Sequence, residues 1–385
     1  MEEKIENKQK MENYFETIIV GAGPAGLIAG KYLKDALILD EKKEIGKPVR
    51  CGEGLSYLTL KEFAINPDPS WICCNIKTVQ RIMPNGKIVG KTRKELSCIL
   101  DRIGFEKFLA SKCLAKIQLN TKVSDLELKN DLWEVKTDKG LFRSKYLIGA
   151  DGCSSIVRRK VFEENLEIIP AIQYLVKLEK KLDTSVIKIY LDSEKFKDGY
   201  AWIFPKSETT ANIGIGSKGN LQEIFKKFME EIVRKEYGSY QLLENKSGMV
   251  PSGKPLSMLE KNNALLVGEA GGLIDPFFKG GMRQAMLSGK LAAKYILNNQ
   301  IDLYDKKIKS YPFVDPKVIE ASKNFYSFDN ETLNEIGKIL ENKSTSYLKT
   351  IPGILKIISR PCLRKNFFKI YGFILIWRKS KSHLW

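Results

Sequence analysis

Gly21, Gly23 and Gly26 carry the first chemistry legible in the chain, in the stretch Thr17-Ile18-Ile19-Val20-Gly21-Ala22-Gly23-Pro24-Ala25-Gly26. A short apolar strand runs straight into a G-x-G-x-x-G turn, and each glycine has its own task in a dinucleotide site. Gly21 permits the tight turn, Gly23 lets a pyrophosphate approach the backbone, and Gly26 lets the next helix lie close to the strand. That helix, starting around Ala25, aims its unpaired N–H groups at the phosphates. Alone, such a turn is also found as a plain strand-to-helix connection. Here the strand before it and the helical run Leu27 to Leu33 after it supply the context a dinucleotide needs.

Other elements must complete such a site. The apolar run Ala36 to Leu39 reads as a second strand, ending on Asp40, an acid placed to bond the adenosine ribose, with Glu41 as runner-up. The run from Gly26 to Asp40 is short, so the first helix must be clipped. Phe142 to Ile148 reads as a strand closing on Gly149-Ala150-Asp151-Gly152, with Ser154, Ser155, Arg158 and Arg159 behind it. Ala264 to Val267 reads as a buried strand entering Gly268-Glu269-Ala270-Gly271-Gly272, then Pro276, Gly280-Gly281 and a helix from Met282 to about Leu297. The start of that helix is a third place that accepts negative charge.

Composition excludes several classes. The one histidine of the chain is His383, which argues against His-based triads and His-ligated metals, and no metal is expected. Seven cysteines, without a C-x-x-C, argue for a reducing compartment and against a disulfide framework or zinc ribbon. The net charge is +18, but basic residues are spread along the chain and no nucleic-acid module is legible, so no nucleic acid is expected. An anionic membrane or an acidic protein partner suits that charge better. Residues 1–12 read as a disordered leader without a signal-peptide core, and no apolar run reaches the length of a transmembrane helix.

The fold class is α/β with α+β elements. A Rossmann-like dinucleotide domain is expected over 13–165 and 251–300, with a hairpin insertion at about 66–98. An antiparallel-sheet substrate domain over 166–250 follows from strong alternation, as in Tyr200 to Pro205. Residues 301–385 form a helical, basic C-terminal part. From Ile351 to Trp385 there are eight Lys/Arg and no Asp/Glu, and Phe367 to Trp377 is apolar but too short to span a bilayer. Two readings stay open: a core helix with solvated flanks, or a segment on an anionic membrane with Trp377 and Trp385 at the interface.

Three glycine loops in this order, with Asp101-Arg102 ahead of a helix, resemble the flavoproteins of the p-hydroxybenzoate hydroxylase-like fold, which bind FAD. Gly199-Tyr200-Ala201-Trp202-Ile203-Phe204-Pro205-Lys206 and Arg50-Cys51-Gly52-Glu53-Gly54 narrow the resemblance to the geranylgeranyl reductase family. Pro276-x-x-x-Gly280-Gly281-Met282-Arg283 is similar to the same family, with Lys279 in place of a small residue. The resemblance runs from about Phe15 to about Ala293. It implies an FAD held by the three loops, with Gly280, Gly281 and Met282 at the flavin edge and Arg50, Cys51, Gly52 and Arg102 joining the site. Glu269 stands where the family has Asp, which keeps the carboxylate but moves it by one methylene.

The activity that this resemblance implies is saturation of carbon–carbon double bonds in isoprenoid chains. Protonation of one alkene carbon leaves positive charge on the other, and hydride from reduced flavin N5 completes the addition. Tyr200, Trp202 and Phe204 share one strand face by their period of two and, with Pro205, line an apolar channel or stabilise that charge. Cys51, Glu53 (as a buried acid with raised pKa) and Tyr200 are the candidate proton donors. Lys206 and Arg283 are phosphate partners or ordinary surface charges. The substrate is an isoprenoid lipid or diphosphate. The reductant is NAD(P)H or a small electron-transfer protein such as ferredoxin. The location is cytoplasmic, or peripheral on the inner face of the membrane. A flavin monooxygenase and a flavoprotein electron-transfer subunit are the competing readings.

Overall fold

The structure, a computed structural model, describes residues 13–90, 92, 96–341, 348 and 350–372; the 1–12 leader, Trp377 and Trp385 lie outside the described residues. The chain divides into two units, each assembled from three separated stretches. The first comprises residues up to Pro48, Ile103–Glu167 and Pro251–Asp315; the second comprises Val49–Arg102, Ile168–Val250 and the chain from Pro316 on.

The first unit is built on an eight-stranded sheet. Lys116–Gln118, Ala36–Leu39, Tyr14–Val20, Gly140–Gly149 and Ala264–Leu266 lie side by side in that order, all parallel. Their near-continuous apolar character follows from burial: Ile18, Ile19, Leu37, Ile38, Leu147, Ile148 and Leu265 are all fully buried. The hairpin Val123–Lys129 and Leu132–Thr137 pairs antiparallel with the first half of Gly140–Gly149. The three glycine loops therefore leave the same ends of three adjacent parallel strands, where open α/β sheets place their ligands. The first helix is clipped to Pro24–Gly30, seven residues. The long helix Met282–Leu297 lies against it so closely that a Cβ at Gly289 would stand 2.2 Å from the Ala25 carbonyl oxygen.

The second unit holds a seven-stranded sheet in the order Tyr240–Pro251, Ile168–Leu178, Thr210–Lys218, Lys197–Pro205, Val186–Tyr190, Thr78–Ile82, Ile88–Val89. One face is the apolar core: Ile172, Val176, Ala201, Ile203, Ala211, Ile213 and Ile215 pack under Phe225, Phe228, Met229 and Val233 of the helical stretch that starts at Leu221. By the period of two, Gln173, Tyr200, Trp202, Phe204, Asn212 and Gly214 belong to the other face. A three-stranded sheet of Gly54–Ser56, Ser97–Leu100 and Ile72–Ile76 completes the strands.

Two boundaries differ from the sequence expectation. The hairpin region is not an insertion in the dinucleotide domain. Thr78–Ile82 pairs in parallel with Val186–Tyr190, so 49–102 belongs with the antiparallel-sheet unit. A pairing between segments about a hundred residues apart leaves no local trace in composition. The C-terminal part also splits, with the chain up to Asp315 in the first unit and the rest in the second. There Asn330 bonds Asp192 and Ser193, and Gly337 closes on Met83, where a Cβ would meet the Met83 Cγ at 2.7 Å. Among the described residues no helix is long and apolar enough to cross a membrane, and no cluster of His, Cys, Asp and Glu fits a metal.

Candidate functional site

In the first unit the three glycines divide their tasks by geometry. Gly21 has φ of 108°, and a Cβ there would lie 2.4 Å from Ala150 O. A Cβ at Gly26 would lie 2.0 Å from Gly21 O, so only glycine lets this helix start so close to the turn. A Cβ at Gly23 would meet nothing within 4 Å: the side of the turn that a pyrophosphate would approach is open. Asp40 is buried and both its oxygens are engaged, Oδ2 by Ala22 N at 2.6 Å and Oδ1 by Lys42 N at 2.9 Å. It ties the glycine turn to the end of the second strand, and a ribose hydroxyl would use a remaining lone pair. Glu41 is exposed.

The other two loops are tied together by Arg158, whose guanidinium donates to Cys153 O at 2.8 Å and to Ala270 O at 3.3 Å. Asp151 is half-buried. Its Oδ2 accepts from Ile156 N at 2.7 Å, while Oδ1 is buried with no hydrogen-bond partner. Burial raises the Asp151 carboxyl above its ordinary range, against the N–H donors that favour its charge. Gly152 has φ of 71°, and Cβ atoms at Gly152 and Gly280 would meet open space, as at Gly23. Gly268 N donates to Ser288 Oγ at 2.9 Å, fixing the third loop on the long helix. Glu269 approaches the Gly281 Cα–H face, where a Cβ would lie 3.6 Å from its Oε1. It also raises the Cys153 thiol, second to burial, to about 11.

These residues fit a dinucleotide. Three glycines border open space, one buried carboxylate oxygen lacks a partner, and the helix Met282–Leu297 starts at Gly281 with no side-chain cap and no acid in its first turn. Met282 and Arg283 open that helix and are both buried.

The second unit carries Arg50, Cys51, Gly52, Glu53, Arg102, Tyr200, Trp202, Phe204, Pro205 and Lys206 of the expected site residues. Tyr200 and Trp202 touch edge to face, centroids 5.8 Å apart. Trp202 lies across Gly214, where a Cβ would sit 2.4 Å from the indole, and its Nε1 donates to Gln173 Oε1 at 2.9 Å. Phe204 covers the next stretch, within 3.0 Å of a Cβ built on Gly52. Pro205 is buried at the strand end, and Arg50 passes beside Gly248.

Glu53 is 3% exposed, with φ of 69°. Its carboxylate accepts from Arg102 N at 3.2 Å, pairs with Lys206 Nζ at 3.0 Å, and accepts from Asn212 Nδ2. All three are donors, the complement of a carboxylate and not of an acid with a proton to give. The geometry makes Glu53 a holder of its neighbours. Lys206 is likewise no surface charge. Burial is the largest single influence and works against its ammonium, but Glu53 and Cys73 together outweigh it and hold the pKa above the ordinary lysine value. Cys51 is half-buried, its Sγ accepting from Glu53 N at 3.2 Å.

Sequence reading missed Gln173 and Asn212, both buried on this face. The only signal was a polar residue at the off-core position of an otherwise apolar strand, which by itself marks nothing.

Comparison with known proteins now identifies the family. Residues 167–250 match the model of the geranylgeranyl reductase catalytic domain. A digeranylgeranylglycerophospholipid reductase from Methanocella arvoryzae is 30% identical over 89% of this chain and 93% of its own length. Digeranylgeranylglycerophospholipid reductase 2 from Methanococcoides burtonii is 33% identical over 74% and 75%. The crystal structure of a geranylgeranyl bacteriochlorophyll reductase-like protein from Thermoplasma acidophilum superposes with a TM-score of 0.79 at 25% identity, covering 93% of this chain and 99% of its own. The flavin-dependent brominase Bmp2, at 16% identity and a TM-score of 0.61, shares the fold alone. The chain therefore belongs to the geranylgeranyl reductase family, oxidoreductases of flavoprotein fold.

Proposed function

We propose that this protein uses FAD to saturate isolated double bonds of geranylgeranyl chains carried on a glycerophospholipid. The observation that carries this reading is the aromatic face of Lys197–Pro205. Tyr200, Trp202 and Phe204 stand together opposite the sheet's core, with Trp202 locked in place by Gln173. Such a face suits a long apolar chain. When bound and reduced, the flavin would supply hydride; the protein must supply the proton and hold the chain. The Trp202 N–H bond to Gln173 adds electron density to the indole, which favours positive charge over its ring.

Cys51 is our candidate for the proton donor, with Tyr200 as the alternative. Cys51→Ala should keep FAD but lose reduction rate by about 100-fold, the range of general acid catalysis. Full activity in Cys51→Ala would move the role to Tyr200. NAD(P)H or a small acidic electron-transfer protein would supply electrons, and the +18 charge favours attraction of the second. The reading as a whole is tested anaerobically: reduce the protein, add a geranylgeranyl glycerophospholipid, and follow flavin reoxidation and product mass. Reoxidation with a gain of two hydrogens per double bond is expected, and reoxidation without that gain overturns the reading.

A peripheral location on an anionic membrane belongs to the same reading. Between Thr350 and Gly372 the charged residues are Lys356, Arg360, Arg364, Lys365 and Lys369, with no acid. Leu355, Ile358 and Phe368 are exposed, Phe368 to 88%. Apolar side chains among basic ones suit the headgroup region. Vesicles with about one third anionic lipid should sediment the protein at low salt. Phe368→Ser with Leu355→Ser should weaken that binding by roughly tenfold, from the apolar area withdrawn; unchanged partitioning would remove this surface from the reading.

A further inference from the structure

We propose that Asn212 is a positioning residue: through Glu53 and Gln173 it fixes the Cys51 turn against Trp202. The turn from Cys51 to Gly54 needs holding, because Glu53 adopts a left-handed backbone conformation that side-chain-bearing residues take at a cost. The hold comes from one connected set of hydrogen bonds. Asn212 Nδ2 donates to Glu53 Oε2. Asn212 Oδ1 accepts from Gln173 Nε2 at 3.2 Å, and the same Nε2 donates to Cys51 O at 3.0 Å. Gln173 Oε1 then accepts from Trp202 Nε1. Every amide orientation in the chain is forced, since Glu53 can only accept and the indole can only donate.

Asn212 is the centre of this set. It is fully buried in mid-strand, opposite Leu175 and Phe204 in register. A buried amide there costs stability unless both its ends are bonded, and here both are. The charged and titratable groups around Glu53 are Lys206, in direct contact, Cys73, whose thiol interacts with both Lys206 and Glu53, and Asp101, which interacts with Cys73. With Lys206 facing Glu53, the ion pair alone would keep the carboxylate buried. Asn212 is the link that passes this anchor on to Gln173, and so to Cys51 and Trp202.

The discriminating variant is Asn212→Asp, which keeps shape but turns a donor into a second carboxylate against Glu53. Two touching carboxyls hold together when they share a proton and repel when both are ionised. The Cys51 turn should therefore stay closed at low pH and loosen as pH rises. Alkylation of Cys51 by iodoacetamide, resolved by peptide mass spectrometry and taken as a ratio to wild type at each pH, reads this directly. The ratio should be near one at pH 5 and rise roughly tenfold by pH 8, the size expected for losing a bond to a charged group. Gln173→Met, which removes the bonds to Cys51, Asn212 and Trp202 together and leaves the Asn212–Glu53 bond, should raise the ratio at every pH. It decides the matter if Asn212→Asp fails to fold.

A flat ratio in Asn212→Asp, or wild-type alkylation in Gln173→Met, overturns the proposal. The activity arm rests on the reductase reading: kcat of Asn212→Asp should fall at pH 8 and recover toward pH 5.5, with KM little changed. If alkylation responds while wild type reduces no geranylgeranyl lipid, the positioning role stands and the reductase reading fails.

Discussion

Gly23→Ala should strip the protein of FAD while leaving its apo melting temperature unchanged, and Gly26→Ala, the same added methyl three residues on, should instead unfold the turn. The contrast follows from where each Cβ would point. At Gly23 it meets no protein atom within 4 Å, and the backbone there is extended, with φ of −85° and ψ of −177°, which alanine adopts freely. The methyl would stand only in the way of a pyrophosphate. A loss of about 100-fold in FAD affinity, or roughly 2.7 kcal/mol, is expected from a ligand forced off the backbone N–H groups. At Gly26 the methyl would lie 2.0 Å from Gly21 O and 3.3 Å from the Ala150 Cβ. Strand, turn and helix would have to part, at a cost of about 3 kcal/mol or more. Thermal melts of both apo-proteins and fluorescence titration with FAD measure the two effects separately. Wild-type FAD affinity in Gly23→Ala would mean that the open side of the turn is not where the cofactor lies.

These two glycines also mark what the sequence made legible. Spacing alone predicted which of them packs tightly and which faces open space, because the G-x-G-x-x-G turn closes on itself, Gly26 against Gly21 O, although Ala150 of a distant strand also presses on it. The clipped first helix was readable for the same reason, from the short run to Asp40. The period of two in Tyr200 to Phe204 likewise predicted the shared aromatic face. What escaped was set by pairing across distance. Nothing near Thr78 shows that it pairs beside Val186, so the hairpin was assigned to the wrong unit. Glu53 read as a buried acid and candidate proton donor, with no sign of its partners, because Lys206 and Asn212 come from 153 and 159 residues away. Asn212 and Gln173 were invisible because a single polar residue in a strand acquires meaning only when its neighbours across the sheet are known.

Asp275→Asn should stabilise the apo-protein at pH 8 and leave it nearly unchanged at pH 4. Asp275 is fully buried; Oδ1 accepts from Phe277 N at 2.8 Å, and Oδ2 has no hydrogen-bond partner. Burial pushes its carboxyl up to about 7, outweighing the Phe277 N–H and the Lys279 ammonium, which both favour the charge. In the unfolded chain the same carboxyl has its ordinary pKa near 3.9. Below that value both states are protonated and the group is silent. Between the two values the unfolded chain gives up its proton and the folded protein does not, so stability falls as pH rises. Above about 7 both are ionised and the folded state bears the whole cost, on the order of 4 kcal/mol. Asparagine keeps the acceptor for Phe277 N and has no proton to lose, so the gap between variant and wild type should open across this window. The residue shapes the loop that carries Gly280: its backbone N donates to Gly280 O at 2.7 Å and its carbonyl accepts from Lys279 N at 2.9 Å. A carboxylate forming there strains the approach to Gly281, where the long helix begins, so wild-type FAD affinity should weaken above pH 7 and that of Asp275→Asn should not. Urea denaturation of the two apo-proteins at pH 4 and pH 8 decides the first point. Parallel stability curves would show that Asp275 finds a partner in solution and carries no buried charge.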